Sequence, residues 1–275
     1  MKINDQLPHV KQDGPPYRIT NIADANDGFG SQYQGILGAI MYAQYVSKHY
    51  VINTSFCFTA PGHVEHNYDD NYNDTKFRHD MLELMNVEYP LCVGGASEST
   101  KSDDANPSDN RGSSVTAHSV IVNGKNFLDK HGLKDYWTQK KLQPITAHLR
   151  TMFLRNKVSP FTSTRINIAV HVRRVNMHDN RASLIDDKDI LRVMGSIRTH
   201  FASSPYSKMP VFHVYSQGDP KEFGCYRQYA DVVVHLNDPI NATFTALVFA
   251  DALVMARSSF SYSAALISYV QSFSH

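Results

Sequence analysis

Residues 165–174 read Arg165-Ile166-Asn167-Ile168-Ala169-Val170-His171-Val172-Arg173-Arg174. The nearly unbroken apolar run is the pattern of a strand buried on both faces of a parallel sheet. Two arginines follow at its C-terminal end, and in an open α/β sheet that end faces the ligand crevice. Each guanidinium fork can hold phosphate oxygens bidentately and keeps its charge at any working pH. A surface ion pair is the plainer reading of an isolated Arg-Arg. A second block shifts the balance.

That block runs Phe249-Ala250-Asp251-Ala252-Leu253-Val254-Met255-Ala256-Arg257-Ser258-Ser259-Phe260-Ser261-Tyr262-Ser263-Ala264-Ala265. It reads as strand, hydroxyl-rich turn and helix, with Ser258 or Ser259 as N-cap. A helix N-terminus presents N–H groups without intrahelical partners and the positive end of the macrodipole. With Arg257 beside it, this is a second anion-binding feature. An ordinary capped helix is the competing reading. Two such features in one α/β unit favour a nucleotide diphosphate.

Outward from these blocks, the C-terminal half alternates strands and helices. Strands are expected at Ile166–Val172, Val211–Tyr215, Val232–Leu236 and Ala252–Met255. Helices are expected at Asp187–Phe201, Pro220–Tyr229, Ala242–Phe249 and Phe260–Val270. Short connections in a βαβα series predict a parallel, Rossmann-like sheet. The dinucleotide fingerprint GxGxxG is absent, which also counts against a methyltransferase-like cofactor loop. The N-terminal half opens with a strand at Tyr17–Ile22, a tight Asp27-Gly28-Phe29-Gly30 loop, a helix at Ser31–His49 and a strand at Tyr50–Asn53. Gly28 and Gly30 would let the backbone approach a ligand closely; a simple βα turn is the alternative. Residues 94–114 read as a surface loop. A helix is expected over Lys134–Asn156, interrupted near Pro144. Two domains follow, 1–158 and 159–275, divided near Pro160.

The chain's 275 residues and 42% hydrophobic content support real cores. A net charge of +1 gives no general nucleic-acid footprint. Cys57, Cys92 and Cys225 are too widely spaced for a zinc or disulfide framework. No leader-like or membrane-spanning run is read, so a cytoplasmic location is expected. Oligomeric state is left open.

His171-Val172-Arg173-Arg174 resembles the HxRR motif of the fucosyltransferase superfamily, enzymes of the GT-B architecture. Residues 249–265 are similar to that family's later donor-site block. Asp27–Gln32 is similar to its N-terminal Gly-x-Gly-Asn-Gln loop, with Ser31 where Asn is usual. The family continues HxRRxD, whereas this chain has Asn176. The segments around Asp27–Gln34 and His66-Asn67-Tyr68-Asp69-Asp70 also resemble glycosyltransferases of large algal viruses (chloroviruses), a group that decorates capsid glycans and includes a UDP-xylose user. The resemblance implies an α/β fold of two Rossmann-like domains with a cleft between them. It implies a donor site of Gly28, Phe29, Gly30, His171, Arg173, Arg174, Asp251, Arg257, Ser258, Ser259 and Phe260. Arg173, with Arg174 as the second candidate, and the Ser258-Ser259 turn would hold the diphosphate, and Asp251 would read a guanine or uracil base.

Inverting transfer needs one group to take the proton of an acceptor hydroxyl. Asp69 is the first choice, with Asp70 and Asp179 as runners-up; His66 and Tyr68 complete the acceptor side. Capping of a helix start is the competing reading of each acid. Arginines and a helix N-terminus can stabilise the leaving diphosphate without a cation. No DxD tripeptide sits at a strand end, so no metal and no cofactor beyond the nucleotide-sugar donor is expected. Xylose from UDP-xylose or fucose from GDP-fucose, moved to a glycan acceptor, is the expected reaction. A non-catalytic nucleotide- or glycan-binding protein is the alternative.

Overall fold

The computed structural model describes residues 17–21, 28–46, 52–55, 74–86, 119–122, 143–174, 185–203, 208–268 and 272–273. The chain forms two compact units. One comprises Met1–Ala23, Gly35–Cys57 and Glu88–Leu133; the other comprises Asp24–Gln34, Phe58–Val87 and Lys134–His275. The second unit therefore draws on sequence well before the boundary expected near Pro160.

The first unit holds a three-stranded parallel sheet of β1 (Tyr17–Asn21), β2 (Ile52–Ser55) and β3 (Ser119–Val122), in the order β2-β1-β3. Tyr17 aligns with Ile52, and Arg18 with Ser119. Helix α1 (Phe29–Val46) follows β1, and its residues through Gln34 belong to the second unit. Strand β3 had no counterpart among the expected elements, because four residues carry too little pattern to be read.

The second unit holds α2 (Asp74–Met85), α3 (Gln143–Leu154), β4 (Ile166–His171), α4 (Asp187–Ala202) and β5 (Pro210–Ser216). A 3₁₀ turn (Pro220–Phe223) runs into the short α5 (Gly224–Arg227). Then come β6 (Val232–Leu236), α6 (Ile240–Phe249), β7 (Ala252–Val254), α7 (Ser259–Ile267) and β8 (Ser272–Phe273). The five strands lie in the order β6-β5-β4-β7-β8, all parallel. The expected parallel sheet is thus present. Of the helix expected over Lys134–Asn156, Gln143–Leu154 is described, residues 134–142 lie outside the described residues, and no break falls at Pro144 within the described part. Pro144 stands in the first turn of α3, where a missing N–H costs nothing.

Alternation along the strands gives the sheet two different faces. On one, Ile168, Val170, Val172, Phe212, Val214 and Val254 pack against Ile190 and Met194 of α4 and against Phe223 and Tyr226. Fully burying each such side chain stabilises by about 1.5–3 kcal/mol. Asp186 starts α4 as N-cap, its carboxylate accepting from the Lys188 N–H at 3.0 Å. On the other face Ala169 and Leu253 are fully buried. Helix α6 packs against β4 there and α7 packs on α6. Helix α6 buries Phe244, Ala246, Leu247 and Val248, as an apolar helix enclosed by neighbours must. No helix among the described residues is long and apolar enough to cross a membrane.

Candidate functional site

Strands β4 and β7 are neighbours, with Val170 opposite Val254. The chain leaves both at the same end of the sheet. Three residues beyond Val170 stands Arg173, and four beyond Val254 stands Ser258. The Arg173 Nη1 donates to the Ser258 Oγ at 3.3 Å. Ser258 is the N-cap of α7, extended at φ −144 and ψ 131, and its Oγ also accepts from the Phe260 N–H at 3.3 Å. The two anion-binding features read separately in the sequence therefore meet. Ser259 is the first helical residue, and Arg257 is exposed just before the cap.

His171 shares the strand face of Arg173, two residues back. Its ring lies 5.5 Å from that of Phe260. Its Nδ1 is buried with no hydrogen-bond partner among the described residues. Burial, and then the nearby Arg173 charge, push its pKa down to about 4. At neutral pH the ring is uncharged, with one N–H and one lone pair. It shapes this end of the sheet as a neutral wall.

Behind the cap, α7 rests on the first turn of α1. A Cβ at Gly30 would lie 2.3 Å from the Phe260 N and 2.6 Å from the Ser259 carbonyl carbon. The Ser263 Oγ donates to the Gly30 carbonyl at 3.0 Å. Gly30 is thus a helical residue that admits another helix, correcting the expectation of a loop glycine open to ligand. Gly28 precedes α1, its carbonyl accepting from the Ser31 and Gln32 N–H groups at 3.0 and 3.2 Å. Phe29 is likewise core: its ring packs on Phe244 at 5.1 Å, Tyr33 at 5.8 Å and Phe260 at 6.0 Å. Each such aromatic pair adds about 0.5–1.5 kcal/mol beyond its area burial. At the far end of α7, Arg150 of α3 donates to the Ile267 and Ser268 carbonyls at 3.0 and 2.5 Å. A cation there complements the negative end of the helix dipole.

Two expected donor-site residues are placed elsewhere. Arg174 points to the opposite face, where it grips both carboxylate oxygens of Asp187 at 2.9 Å. Its guanidinium lies 4.8 Å from the Phe223 ring, and the Tyr226 hydroxyl donates to the same Asp187 at 2.6 Å. Arg174 ties the end of β4 to α4 and to the 3₁₀ turn. Asp187, in the first turn of α4, is its anchor. Asp251 precedes β7, so it lies at the end of the sheet remote from Arg173. Its Oδ2 accepts from the Asn167 N–H at 2.8 Å, and its own N–H donates to the Asn167 carbonyl at 2.8 Å. A carboxylate there ties two strand starts together and is not placed to read a base. Asp251→Ala should therefore destabilise the fold by about 1–3 kcal/mol, the cost of stranding a buried N–H, while nucleotide affinity stays unchanged. Denaturant unfolding beside calorimetry separates the two; a large affinity loss with intact stability would return Asp251 to the base.

His66, Tyr68, Asp69, Asp70, Asn176 and Asp179 lie outside the described residues. Among the described residues one group has metal-ligand spacing: His79, Asp80 and Glu83 on α2. His79 and Glu83 are exposed and Asp80 is half-buried, and His79 lies 3.7 and 4.0 Å from the two carboxylates. It is separate in sequence from the strand ends that carry Arg173 and Ser258.

No protein-family model matches this chain, and no curated protein sequence does. Among solved structures it is similar to the NodZ alpha-1,6-fucosyltransferase co-crystallized with GDP, at 11% identity and a TM-score of 0.43, covering 94% of this chain and 95% of that one. Fucosyltransferase NodZ from Bradyrhizobium gives 12% identity and a TM-score of 0.40, covering 92% and 93%. Arabidopsis thaliana FUT1 in complex with GDP gives 12% and 0.41, covering 96% and 71%. TM-scores below 0.5 do not establish a shared fold, so the functional reading rests on the geometry at Arg173 and Ser258.

Proposed function

We propose that this protein is an inverting, metal-independent glycosyltransferase of GT-B type that takes its sugar from a nucleotide diphosphate. The convergence of the Arg173 guanidinium and the Ser258-capped N-terminus of α7 carries this reading. In the proposed reaction the acceptor O–H gives its proton to a carboxylate, with Asp69 in that role. The oxygen attacks the anomeric carbon from the face opposite the diphosphate. The carbon–oxygen bond to the diphosphate breaks, and its electron pair leaves with the phosphate. Arg173, the Ser258 hydroxyl and the first N–H groups of α7 would stabilise that developing charge, as preorganised dipoles do. Xylose from UDP-xylose and fucose from GDP-fucose are the two donors put forward, with a glycan as acceptor.

A thermal-shift panel of UDP, GDP, UDP-xylose and GDP-fucose tests the reading. A ligand held by the native state alone raises its stability by roughly 2.7 kcal/mol at a hundredfold excess over Kd. No shift with any of the four removes the nucleotide-sugar reading. Transfer should also continue in EDTA, because the cationic groups at the diphosphate are side chains. Strict dependence on added Mn²⁺ or Mg²⁺ would show that a cation carries the leaving group.

One observation favours a second reading, a non-catalytic nucleotide- or glycan-binding protein. Arg173 and the Ser258 cap of α7 would hold an anion whether or not a base stands opposite them. Slow release of free sugar from the donor in water supports the enzyme; binding without any release supports the alternative.

A further inference from the structure

On the His171 face of the sheet, a line of side chains crosses β6, β5 and β4. The Asp238 Oδ2 lies 3.6 Å from the His235 Nδ1. The His235 Nε2 lies 3.2 Å from the His213 Nδ1. The His213 Nε2 lies 3.3 Å from the Asn167 Oδ1. Both ends of this line are acceptors. The Asn167 amide is oriented by its Nδ2, which donates to the Thr162 and Arg165 carbonyls at 2.9 and 3.2 Å, leaving its oxygen to face His213. Asp238 offers a carboxylate.

The line contains three contacts, and two neutral imidazoles bring one N–H each. It is therefore one proton short. Asn167 sets the direction: His213 carries its hydrogen on Nε2 and accepts at Nδ1, so His235 donates from Nε2. The missing proton then falls between His235 Nδ1 and Asp238, which is the longest of the three contacts. We infer that His235 is a proton-operated latch: taking up a proton at Nδ1 completes the line, draws Asp238 into a charged hydrogen bond and ties the turn before α6 to the sheet. This inference does not depend on the proposed function.

The surroundings fit such a latch. The turn is already pinned on its other side, where Asn237, left-handed at φ 59, accepts from the Gly218 N–H at 3.0 Å and donates to the Gly218 carbonyl at 3.2 Å. From β5, the Tyr215 ring stacks on His235 at 4.5 Å and 11°, and Phe161 covers His213 at 4.7 Å. Among the described residues, the titratable groups facing the pair are Asp238 from the turn and Tyr215 from β5; Asp251 lies beyond Asn167 at the far end. Burial and Asp238 hold the Tyr215 phenol far above its ordinary value, so it stays neutral. Burial lowers both imidazoles, but Asp238 opposes this at His235, whereas His235 pushes His213 down further, to about 4. His235 is thus first to charge. The sign follows: with its pKa below the ordinary imidazole value, His235 is neutral at neutral pH, and the latch closes on acidification.

Long-range ¹H–¹⁵N NMR of the histidine rings in the full chain tests this, between about pH 8 and pH 4, the range spanning imidazole titration. At the alkaline end both rings should be Nε2–H tautomers. On acidification His235 Nδ1 should gain its proton before His213 does, and Asp238→Asn should lower the His235 midpoint further. An Nδ1–H His235 at the alkaline end, His213 titrating first, or a His235 midpoint indifferent to Asp238→Asn would each overturn the latch. The tautomer and the order are read on the wild-type chain, so they decide the matter even if the variant does not fold.

Discussion

Replacing Arg173 with alanine is expected to lower the rate of sugar transfer about 10²–10³-fold, the usual loss when one preorganised contact to a developing negative charge is removed. The fold should survive, because Ser258 still caps α7 through the Phe260 N–H and the β4 core behind it is untouched. Arg173→Lys should recover only part of the rate: an ammonium keeps the charge but lacks the planar fork. Single-turnover kinetics at saturating donor separates chemistry from binding. Near-normal turnover in Arg173→Ala would sink the assignment of this residue to the leaving group.

Gly30→Ala is expected to do comparable damage by a different route. The added methyl would lie 2.3 and 2.4 Å from backbone atoms of Phe260, and backbone cannot rotate aside as a side chain can. Either α1 or the first turn of α7 must move, and overpacking of this kind costs about 1–3 kcal/mol. In a chain of this size each kcal/mol lowers Tm by roughly 2–4 °C. Nucleotide binding should weaken as well, since the displaced turn is the one Ser258 caps. Gly195→Ala is the control. It lies in the middle of α4 with nothing within 4 Å of the new methyl, so helix propensity should make it neutral or stabilising. A Gly30→Ala protein with wild-type Tm and wild-type nucleotide affinity would refute the packing role.

Strands β4, β5 and β6 were legible because each is an apolar run of 5 to 7 residues and helices alternate with them. Ser258 as a cap was legible because a hydroxyl before an apolar helix has few other uses. The errors have physical causes. Arg173 and Arg174 look equivalent as a dipeptide, yet successive residues leaving a strand point to opposite faces. Arg173 shares parity with His171; Arg174 shares it with Val170 and Val172, the face covered by α4, and so meets Asp187. Parity alone could have separated them. Asp251 was misplaced for a similar reason: a residue before a parallel strand lies at the opposite end of the sheet from residues after its neighbour. Gly30 was harder. The need for glycine arises from Phe260, more than two hundred residues later, and no local pattern announces such a contact.

That last separation bears on how the molecule is made. The hydrogen bond from Ser263 to the Gly30 carbonyl closes a loop of 233 residues, so its closure entropy must be met by contacts formed elsewhere first. A ribosome extends the chain from the N-terminus at about 5–20 residues per second. Phe29 and Tyr33 therefore emerge long before Phe244 and Phe260, the rings that cover them. While the 233 residues that separate Gly30 from Ser263 are being added, the nascent chain carries this apolar turn without its partners. The turn that Ser258 caps can therefore be assembled only after the chain beyond α6 has been made.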